Sequence, residues 1–316
     1  MRALWIRRLR HIGLPRKGMV DKRMNGVGAM LRLMRPTQWI KNGFVLMPLV
    51  FSARLTSPDD VVTVLILVAA FCLASSATYV INDYMDMEQD KVHPLKKDRP
   101  LARGDLAPQS ALLLAFGLVV AVFLIAVAVK APLVCHLCLA AYLVIQVLYS
   151  LVLKHVVILD VLTISAGFLL RVLAGAFVIQ VSVSSWLILC TFSVAILLAL
   201  GKRRHEVMFL SDDAASHRPV LENYSVGLLD QLVQIAATST FIFYCLYSVR
   251  GKHGPGFDSE LMMVTIPIVT YGLFRYMYLI YHREDGGSPT RMLLTDPPLL
   301  LCTIVWILAC IAVIYL

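Results

Sequence analysis

Residues 82–104 read Asn-Asp-Tyr-Met-Asp-Met-Glu-Gln-Asp-Lys-Val-His-Pro-Leu-Lys-Lys-Asp-Arg-Pro-Leu-Ala-Arg-Gly, a charged stretch between two long apolar runs. Its aspartates, Asp83, Asp86 and Asp90, are spaced three and four apart, which places side chains on one helical face. Asn82, Asp86 and Asp90 make a second, overlapping stripe. Crowded carboxylates repel unless a cation lies between them. Hard divalent ions such as Mg²⁺ take oxygen ligands, commonly one or two carboxylates plus the phosphates of a substrate. Asn82, Asp83, Asp86 and Asp90 are therefore the candidate Mg²⁺ ligands. Lys91, His93, Lys96, Lys97, Arg99 and Arg103 follow at once, and their charge suits an anion. Carboxylates followed by cations suggest a diphosphate site; a solvated loop of mixed charge is the plainer alternative.

The elements that must position these residues are membrane helices. The chain has 316 residues, 59% hydrophobic and 16% charged, with a mean hydropathy of +0.77. A soluble domain is about one quarter charged. Several apolar runs reach the roughly 20 residues that a spanning helix needs, and they are continuous rather than alternating, which excludes a barrel. The expected fold is an all-α integral membrane protein with nine spans, near 38–53, 61–81, 111–130, 133–153, 157–179, 185–201, 231–249, 261–281 and 298–316. Lys41, Asn42 and Pro48 interrupt the first. Residues 1–36 read as a basic cytoplasmic tail and 37–316 as one transmembrane domain.

Charge sets the expected orientation. With the N-terminus in the cytoplasm, loops on that side carry twelve Lys or Arg against four on the other, as the positive-inside rule requires. The C-terminus is then outside, and all the charged motifs face the cytoplasm. Residues 1–41 hold eleven Lys or Arg and one acid. Nucleic acid could attract such an arm, but in a membrane protein anionic headgroups are the better partner, so no nucleic acid is expected. Cys135 and Cys138 form a Cys-x-x-Cys inside a span with no second pair, which reads as buried small hydrophobes rather than a redox or zinc site.

Other charges lie at or in spans. Tyr149 and Lys154 fall at the inner end of the fourth span, where aromatic belts and snorkelling lysines are ordinary and where they could also meet a substrate phosphate. Lys202, Arg203 and Arg204 end the sixth span and are followed by Glu206. They read either as positive-inside residues at a helix C-terminus or as a clamp on phosphate oxygens, with Glu206 fixing an arginine or completing a metal shell. Asp160 and Arg171 are eleven residues apart in one span, about 16 Å along a helix, too far to pair. Arg171 and Arg275 at membrane depth are functional candidates; Arg171 either meets an anion or pairs with a carboxylate on another helix.

Asn82-Asp83-x-x-Asp86-x-x-x-Asp90 resembles the first aspartate-rich motif of the UbiA prenyltransferase superfamily, whose members have nine membrane helices and a cytoplasm-facing cavity. The longer string through His93-Pro94-x-Lys96-x-x-Arg99-Pro100 resembles one branch, the decaprenyl-phosphate phosphoribosyltransferases. So do Tyr149-Ser150-x-x-Leu153-Lys154-His155, Gly201-Lys202-Arg203 and Ser288-Pro289-Thr290. Prenyl-transferring members carry a second Asp-x-x-x-Asp after the sixth span; here Lys202, Arg203, Arg204 and Glu206 stand in that loop, and Asp212 and Asp213 are adjacent. The resemblance implies an enzyme of the cytoplasmic membrane that moves 5-phosphoribose from phosphoribosyl diphosphate to a polyprenyl phosphate lipid for cell-envelope glycan synthesis. In it Asp83, Asp86 and Asp90 with Asn82 would hold Mg²⁺, and Lys91, His93, Lys96, Arg99, Arg171, Lys202, Arg203, Arg204 and Glu206 would contact substrate. Tyr149 and Lys154 would position the acceptor. The competing enzyme reading takes a polyprenyl diphosphate as donor to an aromatic or quinone-like acceptor. A transporter of anionic lipids is the non-enzymatic one, disfavoured because the charged motifs gather on one face and no inverted repeat is visible. Oligomeric state is open.

Overall fold

The computed structural model describes residues 26–92, 96–209, 219–250, 259–283 and 287–315. The elements are α1 (Gly26–Met34), a 3-10 segment (Pro36–Leu46), α2 (Met47–Phe51), α3 (Pro58–Met85), α4 (Met87–Val92), α5 (Pro100–Arg103), α6 (Pro108–Ala128) and α7 (Leu133–Leu151). After these come α8 (Leu159–Val178), α9 (Ser185–Phe209), α10 (Val226–Arg250), α11 (Ser259–Met262), α12 (Ile266–Tyr281), α13 (Pro289–Thr295) and α14 (Pro297–Tyr315). Among the described residues everything regular is helical, and eight helices are long and apolar enough to cross a membrane. They correspond to the second through ninth expected spans.

The first expected span, 38–53, is not a continuous α-helix. It is eleven residues of 3-10 helix followed by the five of α2. A 3-10 helix rises about 2.0 Å per residue against 1.5 Å for an α-helix. The sixteen residues therefore reach about 30 Å, the thickness of the hydrocarbon layer. The thin segment fits between α3 and α8. Gly175 on α8 makes that fit possible: a Cβ there would lie 2.2 Å from the carbonyl oxygen of Val45. Gly175→Ala should therefore destabilise the fold by about 1–3 kcal/mol or more, as overpacking does. The thermal midpoint in detergent checks this, with Gly117→Ala, which meets nothing within 4 Å, as the neutral comparison.

The basic tail expected over 1–36 is described only from Gly26 on. Residues 1–25 lie outside the described residues. Residues 26–34 form α1, whose Ala29 and Leu33 are buried against Val80, Leu101, Leu106 and Ala111. Helix starts follow local chemistry. The Ser57 hydroxyl accepts from the Asp60 amide, with Pro58 at the first position and Asp59 and Asp60 in the first turn. The Ser288 hydroxyl does the same for α13, accepting from the Arg291 amide, so Ser288-Pro289-Thr290 serves as a helix cap.

Three apolar cores meet at α8. One joins Val45, Leu49, Phe71, Val122, Leu139 and Ala174; a second joins Val161, Leu197, Leu229, Val233, Leu279 and Met292; the third joins Val172, Phe51, Leu187, Tyr244 and Tyr247. With 61% of its apolar window buried, α8 is the most enclosed spanning helix. It places Asp160 at one end and Arg171 at mid-depth. Cys135 and Cys138 are buried in the first core without a disulfide.

Candidate active site

α3 stops at Met85 and α4 starts at Met87, with Asp86 at the joint (φ −88°, ψ 3°). The Asp90 amide still bonds the Asp86 carbonyl at 2.8 Å, so the chain bends without unwinding. Seven residues return to nearly the same side of a helix, whereas three fall about 60° short. The expected single acidic stripe consequently splits in two. Asp83 and Asp90, both 2% exposed, face the same guanidinium. One Arg99 nitrogen lies 3.0 Å from Asp83 Oδ1 and 2.6 Å from Asp90 Oδ2. Arg35 bonds Asp83 at 2.5 Å, and Lys96 lies 4.0 Å from Asp90. Asp86 turns the other way: its Oδ1 is 2.6 Å from Lys154 Nζ, and its Oδ2 accepts from the Asn82 amide at 3.1 Å.

Arg35 is the residue that sequence reasoning missed. It sits in the expected tail, in the left-handed region at φ 51°, where a residue with a Cβ is strained. Its guanidinium also stacks 5.0 Å from the Tyr79 ring. No spacing signal points at it, because its partner is 48 positions away. Lys41, half-buried on the 3-10 segment, adds a further positive charge within electrostatic range of Arg35, Arg171 and Tyr149.

The remaining candidates distribute unevenly. His93 lies outside the described residues. Lys91 pairs at the surface with Glu88 at 2.6 Å, with 45% of its side chain exposed, so it does not join the acidic cluster. The three consecutive cations ending α9 point three ways, because each residue turns about 100° from the last. Lys202 is 3.8 Å from Glu206 and remains half-exposed. Arg203 is fully buried, pairing with Asp160 at 2.7 Å and with Glu206, while its second nitrogen donates to the Tyr149 hydroxyl at 3.3 Å. Arg204 leaves the cluster for α10 and α12, pairing with Asp230 at 2.5 Å, donating to the Ile280 carbonyl and stacking on Tyr281. The three cations therefore do not converge on one point: Arg204 pairs with Asp230 and reaches the Ile280 carbonyl, and Arg203 meets Asp160 and Glu206.

Asp160 anchors this second cluster. Tyr224 donates to it at 2.8 Å and accepts from the Ile158 amide at 2.7 Å, with Ile158 at φ 69°. A β-branched residue in that region is strained. The Tyr224 phenol, buried beside Asp160, is pushed up to about 12, so it stays a donor. Arg171 is 5% exposed and, among the described residues, pairs with no carboxylate. It donates to the Asn42 amide oxygen (2.8 Å), the Gly167 carbonyl (2.8 Å) and the Tyr142 hydroxyl (3.0 Å), among the rings of Phe71, Tyr142 and Phe168. It ties the 3-10 segment to α7 and α8. Arg275 is held by both oxygens of Asp296, at 3.0 and 2.7 Å, a structural pair.

Among the described residues no group of three or more acidic, His or Cys side chains converges on a metal-sized point. Asp83 and Asp90 nonetheless converge on one cation, and the donors are hard oxygens. Mg²⁺ needs only one or two carboxylates when phosphates and water complete its shell. The residues present fit that ion.

The UbiA prenyltransferase family model matches residues 44–295. The chain belongs to the UbiA prenyltransferase family. It is a multi-span membrane transferase. It is 32% identical over 296 residues to decaprenyl-phosphate phosphoribosyltransferase of Mycolicibacterium smegmatis, covering 90% of this chain and 91% of the relative. To the enzyme of that name from Corynebacterium glutamicum it is 29% identical over 305 residues, covering 92% and 88%. Nodulation protein NoeC of Azorhizobium caulinodans is 28% identical over 281 residues, covering 85% and 87%. The fold superposes on a UbiA homolog from Archaeoglobus fulgidus solved with GPP and Mg²⁺ at a TM-score of 0.69 and 20% identity, covering 91% of this chain and all of that one. In this UbiA fold the charged clusters occupy the ends of α3, α7 and α9 and the start of α8, all at one end of the bundle.

Proposed function

We propose that this protein transfers 5-phosphoribose from phosphoribosyl diphosphate to a polyprenyl phosphate and releases diphosphate, in a Mg²⁺-dependent reaction at the cytoplasmic face of the cytoplasmic membrane, for cell-envelope glycan synthesis. The observation that carries the reading is the likeness, over about nine-tenths of both chains, to enzymes named for this transfer. The site supports it: carboxylates that would hold the metal lie beside Arg35, Arg99, Lys96 and Lys154, a set suited to a substrate pair rich in phosphate.

Asp83 and Asp90, with Asp86 and Asn82 beside them, would hold Mg²⁺, which neutralises charge developing on a departing diphosphate. Arg99 and Lys96 exchange part of their carboxylate contacts for phosphate oxygens. A phosphate oxygen of the lipid attacks the anomeric carbon as the bond to diphosphate breaks, and the developing positive ribose is stabilised by the neighbouring acids. That nucleophile is already an anion near neutral pH, so no general base has to remove a proton. Lys154, just beyond α7 and oriented by Asp86, would draw the lipid phosphate, and Tyr149, held by Arg203, borders the same space.

Purified protein given labelled phosphoribosyl diphosphate and polyprenyl phosphate should form a labelled lipid, and EDTA should abolish it. Product from a polyprenyl diphosphate and an aromatic acceptor, with none from phosphoribosyl diphosphate, would overturn the assignment.

Lys96 makes a pH prediction. Burial, with Arg99 beside it, holds its ammonium below the usual lysine value, against the pull of Asp90, Asp86 and Glu206. Only the protonated form grips phosphate. As pH rises through that lowered value the charge is lost earlier than on an ordinary lysine, so donor KM should rise on the alkaline side. Lys96→Arg, which keeps its charge, should flatten that rise; an identical alkaline limb in the variant would remove Lys96 from donor binding.

A further inference from the structure

Tyr149 lies at the end of α7 and Lys154 just past it, in a connection that its own helix does not fix. α7 stops at Leu151, and Leu153–His155 make one short 3-10 turn before α8 begins at Leu159. The connection closes at Ile158. Its backbone is at φ 69° and ψ −43°, and the Leu159 amide donates to the Val157 carbonyl at 2.8 Å. A bond spanning two residues around a positive φ is the rarer, strained form of γ-turn, and a β-branched side chain there adds to the strain. Such a conformation persists only where the surroundings impose it.

One hydroxyl imposes it. Tyr224, 4% exposed, follows the 3-10 segment Pro219–Asn223, and its ring belongs to the apolar core with Val161, Leu197 and Val220. Its oxygen accepts from the Ile158 amide at 2.7 Å and donates to Asp160 Oδ1 at 2.8 Å. The hydroxyl thus grips both sides of the α8 start from 66 positions along the chain.

Each grip leads to a group beside the acceptor. Behind the Ile158 amide, one short turn away, is Lys154, whose Nζ is 2.6 Å from Asp86. Beyond Asp160 is Arg203 at 2.7 Å, and Arg203 donates to the Tyr149 hydroxyl at 3.3 Å. Asp83, Asp90 and Arg99 belong to α3, α4 and the edge of α5, and this path does not run through them.

We propose that Tyr224 is a positioning residue for the acceptor: its hydroxyl holds the Ile158 turn and Asp160, and through them sets Lys154 and Tyr149 for the lipid phosphate. This rests on the transfer reaction inferred above and adds to it a residue that itself touches no substrate.

Tyr224→Phe tests it, in the full chain in lipid nanodiscs with labelled phosphoribosyl diphosphate and polyprenyl phosphate. Acceptor KM should rise at least fivefold at equal folded fraction, while donor KM stays within twofold. Amide exchange over residues 153–160 should quicken at least tenfold in the same variant. Ile158→Gly added to Tyr224→Phe should return acceptor KM at least halfway, because glycine adopts a positive φ without the Cβ strain. A merely structural role would lower the folded fraction and leave both KM values as they were. Equal changes in the two KM values, or no change in either, would overturn the proposal. No labelled lipid from the unaltered chain would instead overturn the transfer reaction on which it rests. Should Tyr224→Phe fail to fold, the unaltered chain decides. Coupling is reciprocal, so polyprenyl phosphate should slow exchange over 153–160 at least fivefold and phosphoribosyl diphosphate should not; exchange indifferent to the lipid would overturn the proposal.

Discussion

Asp83→Asn should lower transfer by two orders of magnitude or more, about 2.7 kcal/mol of barrier. The substitution keeps the shape of the side chain and removes its charge. Asp83 is nearly enclosed and, among the described residues, is the acid held by both Arg35 and Arg99. Asp90→Asn should behave alike, because it shares the Arg99 nitrogen. Lys91→Gln should stay within about twofold of the unaltered rate, since its partner is an exposed glutamate; a surface change of this kind has little effect. Initial rates with labelled phosphoribosyl diphosphate, normalised to monodisperse protein, decide the matter. Full activity in Asp83→Asn would remove the metal-carboxylate role from this pair.

Arg203→Leu should cost about 3–5 kcal/mol of stability, the usual consequence of taking one partner from a buried ion pair. Arg203 and Asp160 have no exposed side-chain surface, so the aspartate would lose its buried cation in low dielectric, and Glu206 would lose one of the cations beside it. A phosphate clamp would behave differently, raising KM while leaving the fold intact. The two outcomes separate in a thermal denaturation curve beside a donor titration. Asp160→Asn added to Arg203→Leu should recover part of the lost stability, because the uncompensated charge is then gone; no recovery would place the Arg203 contribution elsewhere.

Much of the architecture was legible because membrane crossing is a local requirement. Eight apolar runs each had to satisfy their own backbone bonds in helices, and their spacing placed α3, α6, α7, α8 and α14 within four residues at each end, whereas α9 runs eight residues past its expected end and α10 and α12 start five residues from theirs. The exception was 38–53. Lys41, Asn42 and Pro48 signalled an interrupted span, but the 3-10 conformation depends on Gly175 of α8 admitting the backbone of Val45. Sequence position 175 gives no hint that residue 45 will lie against it.

The acidic motif was visible for a similar reason, since Asp83, Asp86 and Asp90 are near in sequence and helical spacing relates them. Their division between Arg99 and Lys154 was not visible, because it depends on the bend at Asp86 and on loops returning from residues 99 and 154. Composition and pattern alone determined a helical membrane protein with its chemistry gathered at one end. Tertiary structure decided which charges gather beside the acidic motif and which tie helices together: Arg35 came in from a presumed tail, Arg204 went to Asp230, and Arg171 settled on Asn42 and Tyr142. The physical reason is that a long cationic side chain is committed by whichever acceptor it meets in space, and those acceptors lie 26 to 129 residues away along the chain.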